Sequence, residues 1–387
     1  MSRGARVLGH AWRTPLGDTV DGVLGRLLAG ERAARQDDRF GCLTAPVTSA
    51  PPASKLGRFL DRLGLHAVAA AREALAMADA RAGTVAPERL GLFCAVGGLR
   101  VRWDTLLPAL AGQDPDGKGA WERGLRRIHP FWMLEHLSNN AHALISIDVR
   151  ALGEGATFGG AVAGAEAIAA AARALAEGAI DRALVVACDS LITAETLVEL
   201  AARGAVSAEP LERLRAPYDA RACGAVPGEA AAALVLGNEG PALAWIAAAT
   251  GADGSAGEPG GELLGAVVAR LTVEHGGVRL VDGAGRALPA EDAAEREAVG
   301  AVVGEGVALV ASAAAMGTVG AAAAVVRAIV LVEILRGGVL PPIAGLGRAA
   351  EGALRPVLAA ETSRARAALG IVTGAPGLAG AVRVEVA

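Results

Sequence analysis

Side chains able to do covalent or acid–base chemistry are few in this chain, and they are scattered. The four cysteines, Cys42, Cys94, Cys188 and Cys223, stand far apart, and no two form a CxxC pair. That spacing suits neither a disulfide framework nor a zinc site. A free thiol in an apolar strand behaves as a small buried hydrophobe. Cys188-Asp189-Ser190 ends an apolar run, but no histidine adjoins it in sequence. A thiol or hydroxyl without a neighbouring base is a poor nucleophile. Ser138 and Ser190 lack the Gly-x-Ser-x-Gly elbow. The histidines, His10, His66, His129, His136, His142 and His275, keep no metal-type spacing with one another or with cysteine. Gly345-Leu346-Gly347-Arg348-Ala349-Ala350 partly matches a dinucleotide fingerprint, yet Pro341-Pro342 stands where the leading strand belongs. The cluster Arg123, Arg126 and Arg127 reads as a solvated face, or as a contact for an acidic protein. These residues imply no cofactor and no metal.

The elements that must position such groups alternate between strand and helix, the pattern of an α/β protein with covered sheets. Strands are expected at Arg6–Ala11, Leu90–Val96, Arg182–Ala187, Ala230–Leu236, Ala242–Ala249, Arg279–Val281 and Val307–Ala311. Of these, Ala230–Leu236 and Ala242–Ala249 read as a pair, and Val382–Val386 reads as an edge strand closing the chain. Lys55–Ala80 reads as one long amphipathic helix, with Phe59, Leu63, Ala67, Ala70 and Ala71 on one side. Other helices are expected at Thr19–Ala29, Ser138–Val149, Ala165–Glu177 and Glu291–Val303. Aromatic residues are only 3%, so Ala, Val, Leu and Gly must fill the core and let layers approach closely. Each half contains a strand, a small-residue turn, a very apolar helix and another strand, which suggests an internal duplication.

Charge and hydropathy exclude several classes. With 53% hydrophobic and 20% charged residues over 387 positions, the chain is not of the disordered type. Lys+Arg 37 against Asp+Glu 41 gives −4, so neither nucleic acid nor an anionic membrane surface is the expected partner. Gly306–Val326 carries no charge and has the length of a membrane span, roughly 20 residues. It is mostly Ala and Gly, however, and reads as a buried strand, a turn and a buried helix over Thr318–Arg336. The opening apolar stretch, Val7–Trp12, is too short for a secretory signal. The expectation is a cytoplasmic protein with reduced thiols and no membrane span.

Taken in order, several segments resemble the β-ketoacyl-acyl carrier protein synthases of the thiolase-like superfamily, over nearly the whole chain. VLGHAWRTPLGDTVDGVLGRLLAGE is similar to that family's first strand, Thr-Pro-Leu-Gly turn and first helix. RFLDRLGLHAVAAAREAL resembles its next helix, and the stretch from Gly153 to Thr193 resembles its nucleophile region and following strand. Pro217-Tyr218-Asp219 with Val226-Pro227-Gly228-Glu229-Ala230 resembles another signature, and Gly337–Pro342 its Leu-Pro-Pro-type turn. The resemblance implies an α/β, thiolase-like, five-layered αβαβα architecture. Its two pseudo-duplicated halves would be residues 1–236 and 237–387.

The family's catalytic residues do not carry over. Its cysteine lies three residues before a Gly at the start of the central helix, which places Ala161 there counting from Gly164, and Val162 counting from Gly153. Its first histidine position falls on Asp282, its second on Gly317, and its lysine on Ser312. Its phenylalanine gate falls near Ala375. Decarboxylative condensation needs a thiolate to carry the acyl group and imidazoles to stabilise the enolate. The resemblance therefore implies a non-catalytic subunit of the chain-length-factor type. Such a subunit pairs as a heterodimer with an active ketosynthase in type II polyketide, aryl-polyene or fatty-acid-like biosynthesis, and meets acyl carrier protein indirectly. In the segment Pro130–His136, the residues Phe131, Trp132, Met133 and His136 would then meet the partner, with Trp132 and His136 lining or capping its acyl tunnel. The alternative for Phe131 and Trp132 is ordinary core. Two other functions stay open. One is an acyltransferase or hydrolase with a new site built from Asp282, Ser312, Thr318 and Cys188. The other is a homodimeric acyl-binding scaffold.

Overall fold

The computed structural model describes residues 4–97, 103–111, 128, 130–253, 261–374 and 377–387. Arg123, Arg126, Arg127, His129, Ala375 and most of loop 251–261 lie outside the described residues. The first half runs β1 (Ala5–Arg13), α1 (Val20–Leu28), a hairpin of β2 (Arg35–Asp37) and β3 (Cys42–Thr44), α2 (Arg62–Ala82), β4 (Leu90–Val96), α3 (Trp103–Ala111), α4 (Trp132–His136), α5 (Asn140–Val149), β5 (Gly155–Gly159), α6 (Ala163–Ala176), β6 (Arg182–Ser190), α7 (Ala194–Ala202) and β7 (Glu229–Gly237). The second half runs β8 (Ala244–Ala252), α8 (Gly261–His275), β9 (Leu280–Asp282), α9 (Pro289–Val303), β10 (Ala308–Val310), α10 (Ser312–Met316), α11 (Ala323–Gly337), β11 (Val339–Leu340), β12 (Arg355–Pro356), β13 (Glu361–Thr362), β14 (Ala367–Thr373) and β15 (Leu378–Glu385).

Among the described residues, hydrogen bonding links 11 strands in the order β12-β10-β9-β14-β15-β8-β1-β7-β6-β4-β5. At the seam, β8 and β1 share only a short stretch, Ala5–Val7 against Ala244–Ile246. Either side of the seam follows the same path. The orders β5-β4-β6-β7-β1 and β10-β9-β14-β15-β8 have matching pair directions: third on second and second on fourth parallel, fourth on fifth and fifth on first antiparallel. The internal duplication therefore survives as topology although the residues have diverged.

The helices complete five layers. α2 and α5 cover the outer face of the first half, and α8 with α9 covers that of the second. α6 and α11 lie between, touching strands of both halves and each other. Three apolar clusters fill the spaces: a central one around α6 and α11, and one under each outer helix layer. The central helices are buried almost all round, which their Ala-rich sequences permit. Gly164 allows the closest approach, since a Cβ there would sit 2.8 Å from the Ala321 carbonyl oxygen and 2.9 Å from the Ala324 Cβ. Among the described residues no helix is long and apolar enough to cross a membrane.

Four expectations change. β7 and β8 are not partners, because β1 lies between them and pairs with both. The last strand is interior, flanked by β14 and β8. The expected helix from Lys55 is broken, because the Asp61 carboxylate accepts from the Gly64 amide and starts α2 afresh after a short 3-10 turn. The helix expected from Thr318 begins at Ala323, after α10 and a further 3-10 turn, because the Asp189 carboxylate takes the Ala321 amide at 2.9 Å and fixes that turn.

Candidate functional site

Ala161 lies in the tight turn between β5 and α6, where the Ala163 amide donates to the Gly160 carbonyl at 3.2 Å. The chain leaving β14 passes directly over it, and a Cβ on Gly374 would come within 2.4 Å of the Ala161 methyl. A methyl group offers neither nucleophile nor proton, so the turn is sterically tight and chemically inert.

Asp282 ends β9 and is fully buried. Parallel pairing sets it beside Val310 of β10 and Gly370 of β14. One carboxyl oxygen accepts the Ser312 amide at 2.9 Å, while Oδ2 has no hydrogen-bond partner among the described residues. Burial pushes its pKa up, against the opposing pull of the Arg327 guanidinium and the Ser312 contacts. Gly317 follows α10, in a turn whose Thr318 amide donates to the Val226 carbonyl at 2.8 Å. Ser312, Met316, Gly317, Val319, Val326 and Arg327 line a cavity of only about 10 Å³. That is the space of one water at most. Ser312 and Gly317 thus share the wall of this small cavity, and Asp282 is tied to Ser312 through its amide, but neither Asp282 nor Ala161 lines the cavity.

A buried polar network next to this pocket is not evident from motif reading. It clamps the turn Gly283–Arg286. The Tyr218 hydroxyl donates to Glu295 Oε1 at 2.9 Å, and the Ala284 amide reaches the same oxygen at 3.0 Å. Asp292 accepts the Tyr218 amide at 2.9 Å and the Arg286 amide at 3.0 Å. From α11, Arg327 donates to the Gly283 and Ala284 carbonyls at 3.3 and 2.8 Å. Burial, with repulsion from Glu291, raises Asp292 to about 6; burial, with repulsion from Asp292, raises Glu295 to about 7. Two signals in the sequence point to this network: the i, i+3 acids Asp292 and Glu295, and Arg327 as the first charge after Glu305.

The remaining reactive groups do not assemble. Cys94 and Cys188 pack into the outer core of the first half, where burial pushes both thiols up. His66 is fully buried on α2, and burial lowers its pKa. His10 contacts Glu333 at 2.9 Å, and His142 contacts Thr157 at 3.0 Å. Among the described residues no group of His, Cys, Asp and Glu could hold a metal ion.

The segment before β5 divides sharply by exposure. Phe131 is half exposed and meets Phe59 edge-on at 5.4 Å. Trp132 is pinned, its Nε1 donating to Thr105 at 3.0 Å and its ring stacked on His136 at 4.3 Å. Met133 is 62% exposed, and Leu134 and Leu137 are exposed beside it. On and after α5, Ile147 is 71% exposed and Leu152 is exposed as well.

The chain matches the β-ketoacyl synthase N-terminal domain over residues 5–242 and the β-ketoacyl synthase C-terminal domain over residues 247–347. Among curated proteins, none matches it in sequence. Similar solved structures include a β-ketoacyl synthase from Burkholderia phymatum STM815, with TM-score 0.87, 20% identity and 100% of each chain covered. The ishigamide ketosynthase/chain length factor superposes with TM-score 0.84 at 19% identity, again over 100% of each chain. AntDE:AntF, a type II polyketide synthase acyl-carrier protein in complex with its ketosynthase bound to the hexaketide, gives TM-score 0.84 at 17% identity over 100% of each chain. At these identities the likeness is one of fold.

Proposed function

We propose that this chain, which belongs to the β-ketoacyl synthase family, serves as a non-catalytic subunit that pairs with an active ketosynthase and shapes its acyl tunnel. The observation that carries this reading is the edge of β5. Among the described residues it pairs on one side only, with β4, and it holds no Pro, Lys or other edge-blocking residue. Exposed Phe131, Met133, Leu134, Leu137, Ile147 and Leu152 all belong to the chain leading into that strand. An unpaired edge preceded by so much exposed apolar surface suits burial against a second chain.

Three facts favour a non-catalytic role. Ala161 cannot form a thioester, Gly317 offers no side-chain donor, and Asp282 is fully buried, while the cavity beside Gly317 has only about 10 Å³. The reading of an enzyme with a new site is weaker, because Cys188 packs against the outer core of the first half while Asp282 and Ser312 are buried elsewhere. Two of the similar structures are described as ketosynthase assemblies, one with a chain length factor and one with an acyl-carrier protein. Those assemblies supply the proposed partner class, with acyl carrier protein met through the active subunit. Trp132 and His136 serve as the rigid base of the contact segment, and Phe131 and Met133 as its projecting part.

Co-expression with an intact ketosynthase, followed by size-exclusion chromatography, tests the proposal. The expected result is a one-to-one heterodimer that Ile147→Asp disrupts while leaving the fold intact. A stable homodimer that ignores the ketosynthase overturns the pairing and supports the scaffold reading.

A further inference from the structure

We propose that Glu166 selects the ketosynthase that pairs along β5: that chain must set an arginine or a lysine against it. This inference deepens the pairing reading and rests on it.

The central helix α6 is covered on all sides but one. On the strands of the first half it packs mainly on β4, β6 and β5, whereas α11 packs on β7 and β1. The order β5-β4-β6-β7-β1 therefore puts α11 on the side of α6 away from β5. The residues of α6 that are not buried are Glu166, Ala169, Ala172, Arg173 and Ala176, which form one stripe at helical spacing. Gly164 faces the start of α11, where a Cβ would meet Ala324. Glu166 is two residues on, about 200° round a helix of 3.6 residues per turn. It therefore stands on the side opposite α11, toward the open edge of β5. Ala156 and Phe158 of β5 are half-buried and pack against the same central cluster, so the rim between strand and helix is continuous.

Glu166 is already half-buried. Among the described residues no hydrogen bond or ion pair reaches its carboxylate, and burial pushes its pKa up. Arg173, exposed on the same stripe, stands two turns away, about 10 Å along the axis. The helix dipole favours an acid in the first turn, which supports the fold of the single chain but supplies no partner. A second chain on the edge of β5 covers this carboxylate further, and a buried carboxylate without a partner is costly. A guanidinium or ammonium from that chain meets the need, and an acidic side chain in the same place repels.

The test co-expresses the full chain with an intact ketosynthase and measures affinity by analytical ultracentrifugation at low and high salt. Glu166→Gln keeps the size of the side chain and loses its charge, and circular dichroism checks that the variant folds. It should weaken pairing about tenfold or more and reduce the salt dependence, and Glu166→Arg should weaken pairing further. Glu166→Gln pairing as tightly as the wild type overturns the proposal, because the carboxylate is then not read as an anion. If Ile147→Asp disrupts the complex while both Glu166 variants leave it unchanged, the pairing stands and the charge selection falls. If the wild type forms no complex, both fall. Self-association of the wild type that Glu166→Arg abolishes sets Arg173 of a second copy against Glu166 and overturns the choice of partner.

Discussion

Replacing Glu295 by Gln should remove most of a pH-dependent loss of stability. Glu295 is buried, and its carboxyl is raised from the ordinary 4.5 to about 7. The groups facing it are Tyr218, Asp292, the Ala284 amide and Arg327. A carboxyl raised by folding keeps its proton in the native state at a pH where the unfolded chain has released it. Its contribution is therefore complete below pH 4.5 and is lost as pH rises toward 7. At about 1.4 kcal/mol per pH unit, the loss amounts to roughly 3 kcal/mol. Asp292, raised to about 6, repels Glu295, so the two titrate as a pair and the loss spreads over a wider range. In Glu295→Gln the new side-chain amide oxygen can still accept from Tyr218 and Ala284, so the variant removes the titration and keeps the clamp. Urea unfolding of both proteins between pH 4.5 and 8 is the assay. The stability difference should swing toward the variant by a few kcal/mol across that range. A difference that stays constant with pH would refute the account of this network.

Three further outcomes follow from the same geometry. Ala161→Cys should restore no condensation, because Asp282 and Gly317 supply no imidazole; turnover of malonyl and acyl thioesters by the purified variant would contradict this. Gly164→Val should lower stability by about 1–3 kcal/mol, read as a drop in Tm, because its Cβ meets the Ala321 carbonyl and Ala324. Arg327→Met removes the cation opposing Asp282 and Glu295 and the donor to two turn carbonyls; a loss of about 3 kcal/mol and a steeper fall of stability with rising pH are expected in chemical unfolding.

The sequence carried the alternation of elements and the covered sheets because those features are periodic and local. The buried β7, with no alternation of polarity, reads as a strand, but its expected pairing with the next strand in sequence is wrong. Pairing depends on residues far apart in the chain, which is why β1 between β7 and β8 and the interior place of β15 were not legible. The break before α2 rests on one carboxylate, Asp61, competing with a helical pattern that runs straight through it. At the site, the assignment of Ala161, Asp282, Ser312 and Gly317 to the family's catalytic positions rests on resemblance alone. The clamp of Tyr218, Asp292, Glu295 and Arg327 was not located, because it joins three segments distant in sequence.

The duplicated topology also bears on why β5 is open. Its counterpart in the second half is β10, the third strand of an identical path. There the equivalent edge is occupied: β12 pairs with β10 through Ala308 and Leu309, and its Pro356 gives the outermost strand a residue with no amide to donate. The fold therefore has a way of closing this edge within one chain, and the first half does not use it among the described residues. An open edge at β5 is thus no necessity of the architecture. Exposed apolar side chains are costly in water, and here they crowd into the chain that leads to the edge left open. The asymmetry between the halves supports the pairing with a second chain proposed above.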